Sequence, residues 1–156
     1  MNADDTQALA ALLRQRVLAL GVLVDGAPHV GLLPFALSPG GDALLVHASA
    51  LARHTRGLRD GAAFSALLHG ADDPAADPLQ VARVTLSGEV SALVPGSPEH
   101  ESARARYVGR FPGSAQTFAL PDFTLFALRI REGRLVLGFA RARDVSPADV
   151  REAAAR

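Results

Sequence analysis

Cysteine is absent from all 156 residues, which excludes disulfides, thiol nucleophiles, iron–sulfur clusters and cysteine-based zinc sites. Tryptophan is absent too, and tyrosine occurs once. Neither sign of charge dominates: sixteen basic side chains balance sixteen acidic ones, with no basic stripe or tail. That argues against an extended nucleic-acid or anionic-membrane surface, though not against a pocket for one phosphate. No apolar run reaches the roughly 18 residues that a membrane helix needs. The opening segment "MNADDTQALAALLRQRVLALGVLV" starts with acids and carries Arg14 and Arg16 in its apolar part, unlike a secretory signal, so a cytoplasmic location is expected. The five histidines show no metal-ligand spacing, and no metal site is expected. There is no nucleophile elbow, Walker loop or dinucleotide glycine motif, and no catalytic residue can be assigned.

What is present suits a single domain spanning residues 1–156. A chain of this length buries roughly 68–70% of its unfolded surface without needing a staple. A hydrophobic fraction of 49% with 21% charge is ordinary for a folded protein. Leu9, Leu12, Leu13 and Val17, behind Asp4, Asp5 and Thr6, predict a first amphipathic helix. The period then changes. "VLALGVLV", an Asp25-Gly26 turn, "PHVGLLPFAL", the turn "SPGG" and "DALLVHA" predict a three-stranded antiparallel meander. A helix is expected over roughly residues 50–60, then a strand "AAFSALLH" and an acidic loop holding Asp72, Asp73 and Asp77, which reads as solubilising. In "QVARVTLSGEVSALV", Val84 and Leu86 alternate with Arg83, Thr85 and Ser87, giving a strand with one buried face and a bulge or bend at Gly88. Ser97-Pro98 opens a helix to about Gly109. "DFTLFALRIR", a Glu132-Gly133 turn and "RLVLGF" predict a final hairpin, and Ser146-Pro147 a short terminal helix over about 146–155. At least six antiparallel strands with helices between them suggest a small barrel, which leaves no open edges.

One stretch is crowded with chemistry: "HASALARHTRGL", residues 47–58. As a helix it would pack Leu51, Thr55 and Leu58 inward and leave Arg53, His54 and Arg56 in its first turns, where the backbone dipole is already positive. Free N–H groups at a helix start, Ser49 as a cap and guanidinium forks suit an anion such as phosphate. A solvated basic face explains the same residues. Arg83 projects from its strand with Thr85 and Ser87, as a ligand-facing group or as part of an ordinary polar face. Arg104, Arg106 and Arg110 complement a helix C-terminus, and Tyr107 is available to stack or hydrogen-bond.

Six segments in order, "DGAPHVGLLPFAL", "SALARHTRGL", "DPLQVARVTLSGEV", "ARARYVGRFP", "DFTLFALRI" and "LGFARA", resemble the pyridoxamine 5′-phosphate oxidase-like FMN-binding split-barrel superfamily. They look most like its heme-utilisation, HugZ-like branch, and they cover residues 9–143. The resemblance implies a six-stranded antiparallel split barrel of mixed α+β class, forming a homodimer that holds FMN between subunits. It implies that Arg53, His54 and Thr55, with Ser49, hold the flavin phosphate, and that Arg83 reaches the cofactor. The branch often has Ser at the position of Gly31, Asn at Gly57 and Trp at Phe126. A lost serine hydroxyl would remove one flavin hydrogen bond, worth ~1 kcal/mol.

Three functions follow as expectations. The first is an FMN-dependent oxidoreductase acting on an unidentified small substrate, with FMN supplying the redox chemistry. The second is a non-catalytic flavin-binding, storing or sensing dimer. The third, heme binding or degradation, is disfavoured, because the resemblance implies an axial ligand toward the C-terminus and no His, Met or Cys follows His100.

Overall fold

A computed structural model describes residues 1–156. The first helix, α1 (Ala3–Leu13), is capped by Asn2, whose side chain accepts the Asp5 N–H, rather than by the acids that follow. Asp5 and Thr6 are instead buried within it. The Asp5 carboxylate pairs with Arg141 at 3.4 Å and with Arg143. Val17, expected on the helix, opens β1 (Val17–Val24). Asp25 and Gly26, both at positive φ, turn the chain into β2 (Ala27–Pro34), as this dipeptide does in a type I′ hairpin.

The meander ends there. The short β3 (Ala36–Leu37) pairs with β4 (Ala43–Ser49), and β4 pairs along its length with β7 (Phe123–Val136). β5 (Ala63–His69) lies between β1 and β6 (Arg83–Ala92), and β6 pairs with β7. β8 (Ala142–Val145) adds to β7, giving eight strands where six were expected. The sheet runs β2-β1-β5-β6-β7-β4-β3, antiparallel throughout. β2 and β4 touch across the seam without sharing a ladder, which leaves the curled sheet split. The anticipated bulge is present: the β6–β7 register shifts between Ser87 and Gly88.

Glu132-Gly133 is not a turn but lies inside the continuous 14-residue β7. Glycine is needed there for space, since a Cβ at Gly133 would lie 2.7 Å from Leu86 Cδ2 and 2.9 Å from the Thr85 carbonyl oxygen. The glycine marks a close approach of two strands rather than a reversal.

The main core fills the curl. Leu18, Leu20 and Val22 of β1 meet Leu86 of β6 and Leu128 of β7, and α1 with α3 (Pro147–Ala154) closes one end. The terminal helix carries a Ser146 capping box and buries Val150 completely. A second cluster lies outside the curl, where Leu45 and Leu125 pack under Ala103 and Tyr107 of α2 (Pro98–Arg110). β4 is apolar on both faces because both faces are covered. The outer face of β1 and β2 is apolar and uncovered: Leu23 is 54%, Val30 68% and Leu32 71% exposed, with Leu67 of β5 beside them.

Candidate functional site

The crowded stretch leaves β4 at Ser49 and forms a five-residue 3-10 turn, Arg53–Gly57, in place of the helix expected over residues 50–60. Packing overrides helix formation here. A Cβ at Gly57 would lie 2.7 Å from the Leu23 carbonyl oxygen and 2.8 Å from Val22 Cγ2, so the turn presses directly on β1. Leu58 then leaves helical geometry and buries itself, while Leu51, expected inward, is 89% exposed. So short a turn has no useful macrodipole, and any anion must be held by side chains. Nor does Ser49 cap it. Its hydroxyl donates to Asp122 Oδ2 at 2.8 Å and accepts the Leu51 N–H.

The turn brings Arg53, His54 and Thr55 onto the β1–β2 hairpin. The His54 ring lies over Gly31, where a Cβ would come within 2.5 Å of Nδ1. Burial, and secondarily the nearby His29, hold the His54 pKa below its ordinary value, so the ring is neutral at physiological pH. The fixed charge belongs to the arginines, and the chain has no lysine to add to it. Arg56 is paired with Asp25 on the hairpin turn. Arg53 is exposed and has no ionic partner within the chain. The Thr55 hydroxyl is buried with no hydrogen-bond partner. An unpaired guanidinium and an unsatisfied hydroxyl thus stand two residues apart on the turn, beside the His54 ring that fills the space over Gly31.

Arg83 lies elsewhere. It opens β6 opposite His69, at the far end of the ladder from Ala63 and Glu89, and donates to the Val81 carbonyl at 3.0 Å. One chain therefore assembles Arg53, His54 and Thr55, sets Ser49 four residues before Arg53, and leaves Arg83 apart.

A second concavity, missed in the sequence, opens beside α2. It is a cleft of about 620 Å³ lined by His47, Asp60, Leu93, His100, Arg104, Phe118 and Phe123, among others. His47 stacks on Phe118 at 3.8 Å between ring centroids, nearly parallel. Burial, helped by His100, lowers its pKa to about 4. Its Nδ1 lies 3.2 Å from the Thr117 hydroxyl, whose proton is donated to the Ser114 carbonyl at 2.8 Å. The hydroxyl must then accept from His47, so Nδ1 carries the hydrogen and Nε2 the lone pair. The only signal available in the sequence was that His47 shares an outward face of β4 with Leu45. Its partners lie seventy positions away.

No helix is long and apolar enough to cross a membrane, and no three acids or histidines converge to hold a metal. No family model matches the chain, and no curated protein does. Solved structures do. The heme-binding protein from Mycobacterium smegmatis superposes with a TM-score of 0.80 at 25% identity, over 97% of this chain and 61% of its own. This chain thus spans about three fifths of that relative's length. A protein from Clostridium acetobutylicum related to general stress protein 26, of the pyridoxinephosphate oxidase family, gives a TM-score of 0.69 at 12% identity, covering 96% of this chain and 99% of its own. The FAD- and heme-binding protein from Mycobacterium smegmatis gives 0.64 at 17% identity, covering 96% and 77%. The resemblance read from the six segments and the curled, split sheet agree with these neighbours: the chain has the split-barrel fold of the pyridoxamine 5′-phosphate oxidase-like superfamily, with heme-binding and flavin-binding proteins among its structural neighbours.

Proposed function

We propose that the chain binds FMN at the Arg53–Gly57 turn and works as a homodimer. The observation that carries this reading is the pair of unused hydrogen-bonding groups on the turn: the free Arg53 guanidinium and the orphaned Thr55 hydroxyl. Arg53 holds the phosphate by charge-assisted hydrogen bonds. His54, neutral and seated on Gly31, walls the phosphate space without competing for its charge. Since Arg83 lies at the other end of the sheet, its contribution to a cofactor comes from a second chain. When bound, FMN supplies the electron-transfer chemistry, and an oxidoreductase acting on a small substrate is the activity that fits.

Purified protein given FMN and passed through gel filtration is expected to retain close to one flavin per chain by visible absorbance. Arg53→Ala is expected to weaken FMN binding by about 1.5–3 kcal/mol, the worth of a hydrogen bond to a charged group. A colourless wild-type eluate rules the reading out. Reduction of the bound flavin by a nicotinamide donor, with reoxidation in turnover, separates a catalyst from a storage or sensing dimer.

Heme is the second reading. It is favoured by the heme-binding neighbours and by His47, a neutral imidazole that donates through Nδ1 and keeps Nε2 for a ligand. One-to-one hemin titration with a Soret band lost in His47→Phe would favour it over flavin.

A further inference from the structure

The cleft beside α2 shares none of its lining with the Arg53–Gly57 turn. Three of its walls are aromatic or aliphatic: Phe118, Phe123 and Leu93. Its size falls among those of small-molecule sites. The polar groups in it are unequally occupied. Arg104 sits 3.9 Å from Glu101, both half-exposed, and lies over the Phe118 ring. His100 faces Glu101 at 3.3 Å. Asp60 accepts the Ala92 N–H through Oδ1 at 2.6 Å, and its other oxygen has no partner. His47 Nε2 has no partner in the chain and is not among the buried unpartnered atoms, so it opens on the cleft. Two acceptors among the groups without a partner, His47 Nε2 and the second Asp60 oxygen, face it.

We infer that this cleft is a second ligand site, separate from the flavin site, for a planar aromatic molecule that carries a protonated amine. The ring lies against Phe123, Leu93 and the edge of Phe118, an N–H of the ligand donates to His47 Nε2, and the ammonium meets Asp60. An anionic ligand fits less well, because two carboxylates, Asp60 and Glu101, face the one arginine of the cleft.

Tryptamine and indole-3-acetate are the probes: one ring system, opposite charges. The chain holds no tryptophan, so indole emission comes from the probe alone. Fluorescence anisotropy of tryptamine titrated with the protein is expected to rise to saturation at one site per chain, with indole-3-acetate at least tenfold weaker. His47→Phe keeps the stack on Phe118 and removes Nε2, while Asp60→Asn keeps the bond to the Ala92 N–H and removes the charge. Each is expected to weaken tryptamine at least tenfold, and Arg53→Ala to leave it unchanged. The inference is overturned if indole-3-acetate binds as well as tryptamine, or if neither His47→Phe nor Asp60→Asn weakens binding. A loss with Arg53→Ala would merge the cleft with the flavin site, and one-to-one displacement of tryptamine by hemin would give the cleft to heme. Failure of FMN to bind leaves this result untouched, since the probe reports the cleft alone.

Discussion

At position 31 the choice of glycine decides where an imidazole can lie. A serine there would drive its Cβ to 2.5 Å from His54 Nδ1, so the ring occupies the space a side chain at this position would need. Gly31→Ser is expected to cost about 1–3 kcal/mol by overpacking, and the cost should largely vanish when His54→Ala is added. Urea unfolding of the two single variants and the double variant reads the coupling; additive effects would separate the two residues. His47 gives a pH signature of its own. Below about pH 6.5 the unfolded chain takes up a proton at this histidine, whereas the folded chain does so only near pH 4. Stability therefore falls as the pH drops through that window, and the lowered His54 pKa acts in the same direction. Urea midpoints from about pH 7 to about pH 5 should decline, and less steeply in His47→Phe.

At the level of elements, local signals were readable where a local cause sets the structure. Asp25-Gly26 makes a hairpin because both residues take positive φ, and Ser97-Pro98 starts α2 because its hydroxyl caps the His100 N–H. The alternation of Val84 and Leu86 with Arg83, Thr85 and Ser87 gave β6 its faces. Where packing across the sheet decides, the same residues misled. Gly133 looks like a turn and is a point of contact with Leu86. The segment after Ser49 looks like a helix and is flattened against Val22 and Leu23. The phosphate candidates Arg53, His54 and Thr55 were legible as a cluster, whereas the cleft was not, because Phe118 and His47 meet only after folding. Glycines divide accordingly in experiment. At Gly88 a Cβ would run into the Arg129 carbonyl oxygen, so Gly88→Ala is expected to lose at least about 3 kcal/mol. At Gly109 of α2 a Cβ meets nothing, so Gly109→Ala is expected to gain about 0.5–1 kcal/mol. Opposite shifts of the urea midpoint check the pair.

For the whole molecule, the face of Leu23, Val30, Leu32 and Leu67 is the feature a lone chain leaves unanswered, since an exposed apolar patch marks an interaction surface. In the proposed dimer a second copy would cover this face, on which Arg83 also lies through its pairing with His69. Light scattering is expected to give a dimer, and Leu32→Glu a monomer with weakened FMN retention. A wild-type monomer would leave the flavin site with one chain's residues only. β7 has a different consequence. It pairs with β4, β6 and β8, and β4 has no other long partner. During synthesis, β4 and β6 therefore emerge with open edges and wait until residues 123–136 have left the ribosome. Such late, long-range pairing folds slowly and invites association between nascent chains. A chaperone that shields strand edges until β7 arrives is the helper this topology favours.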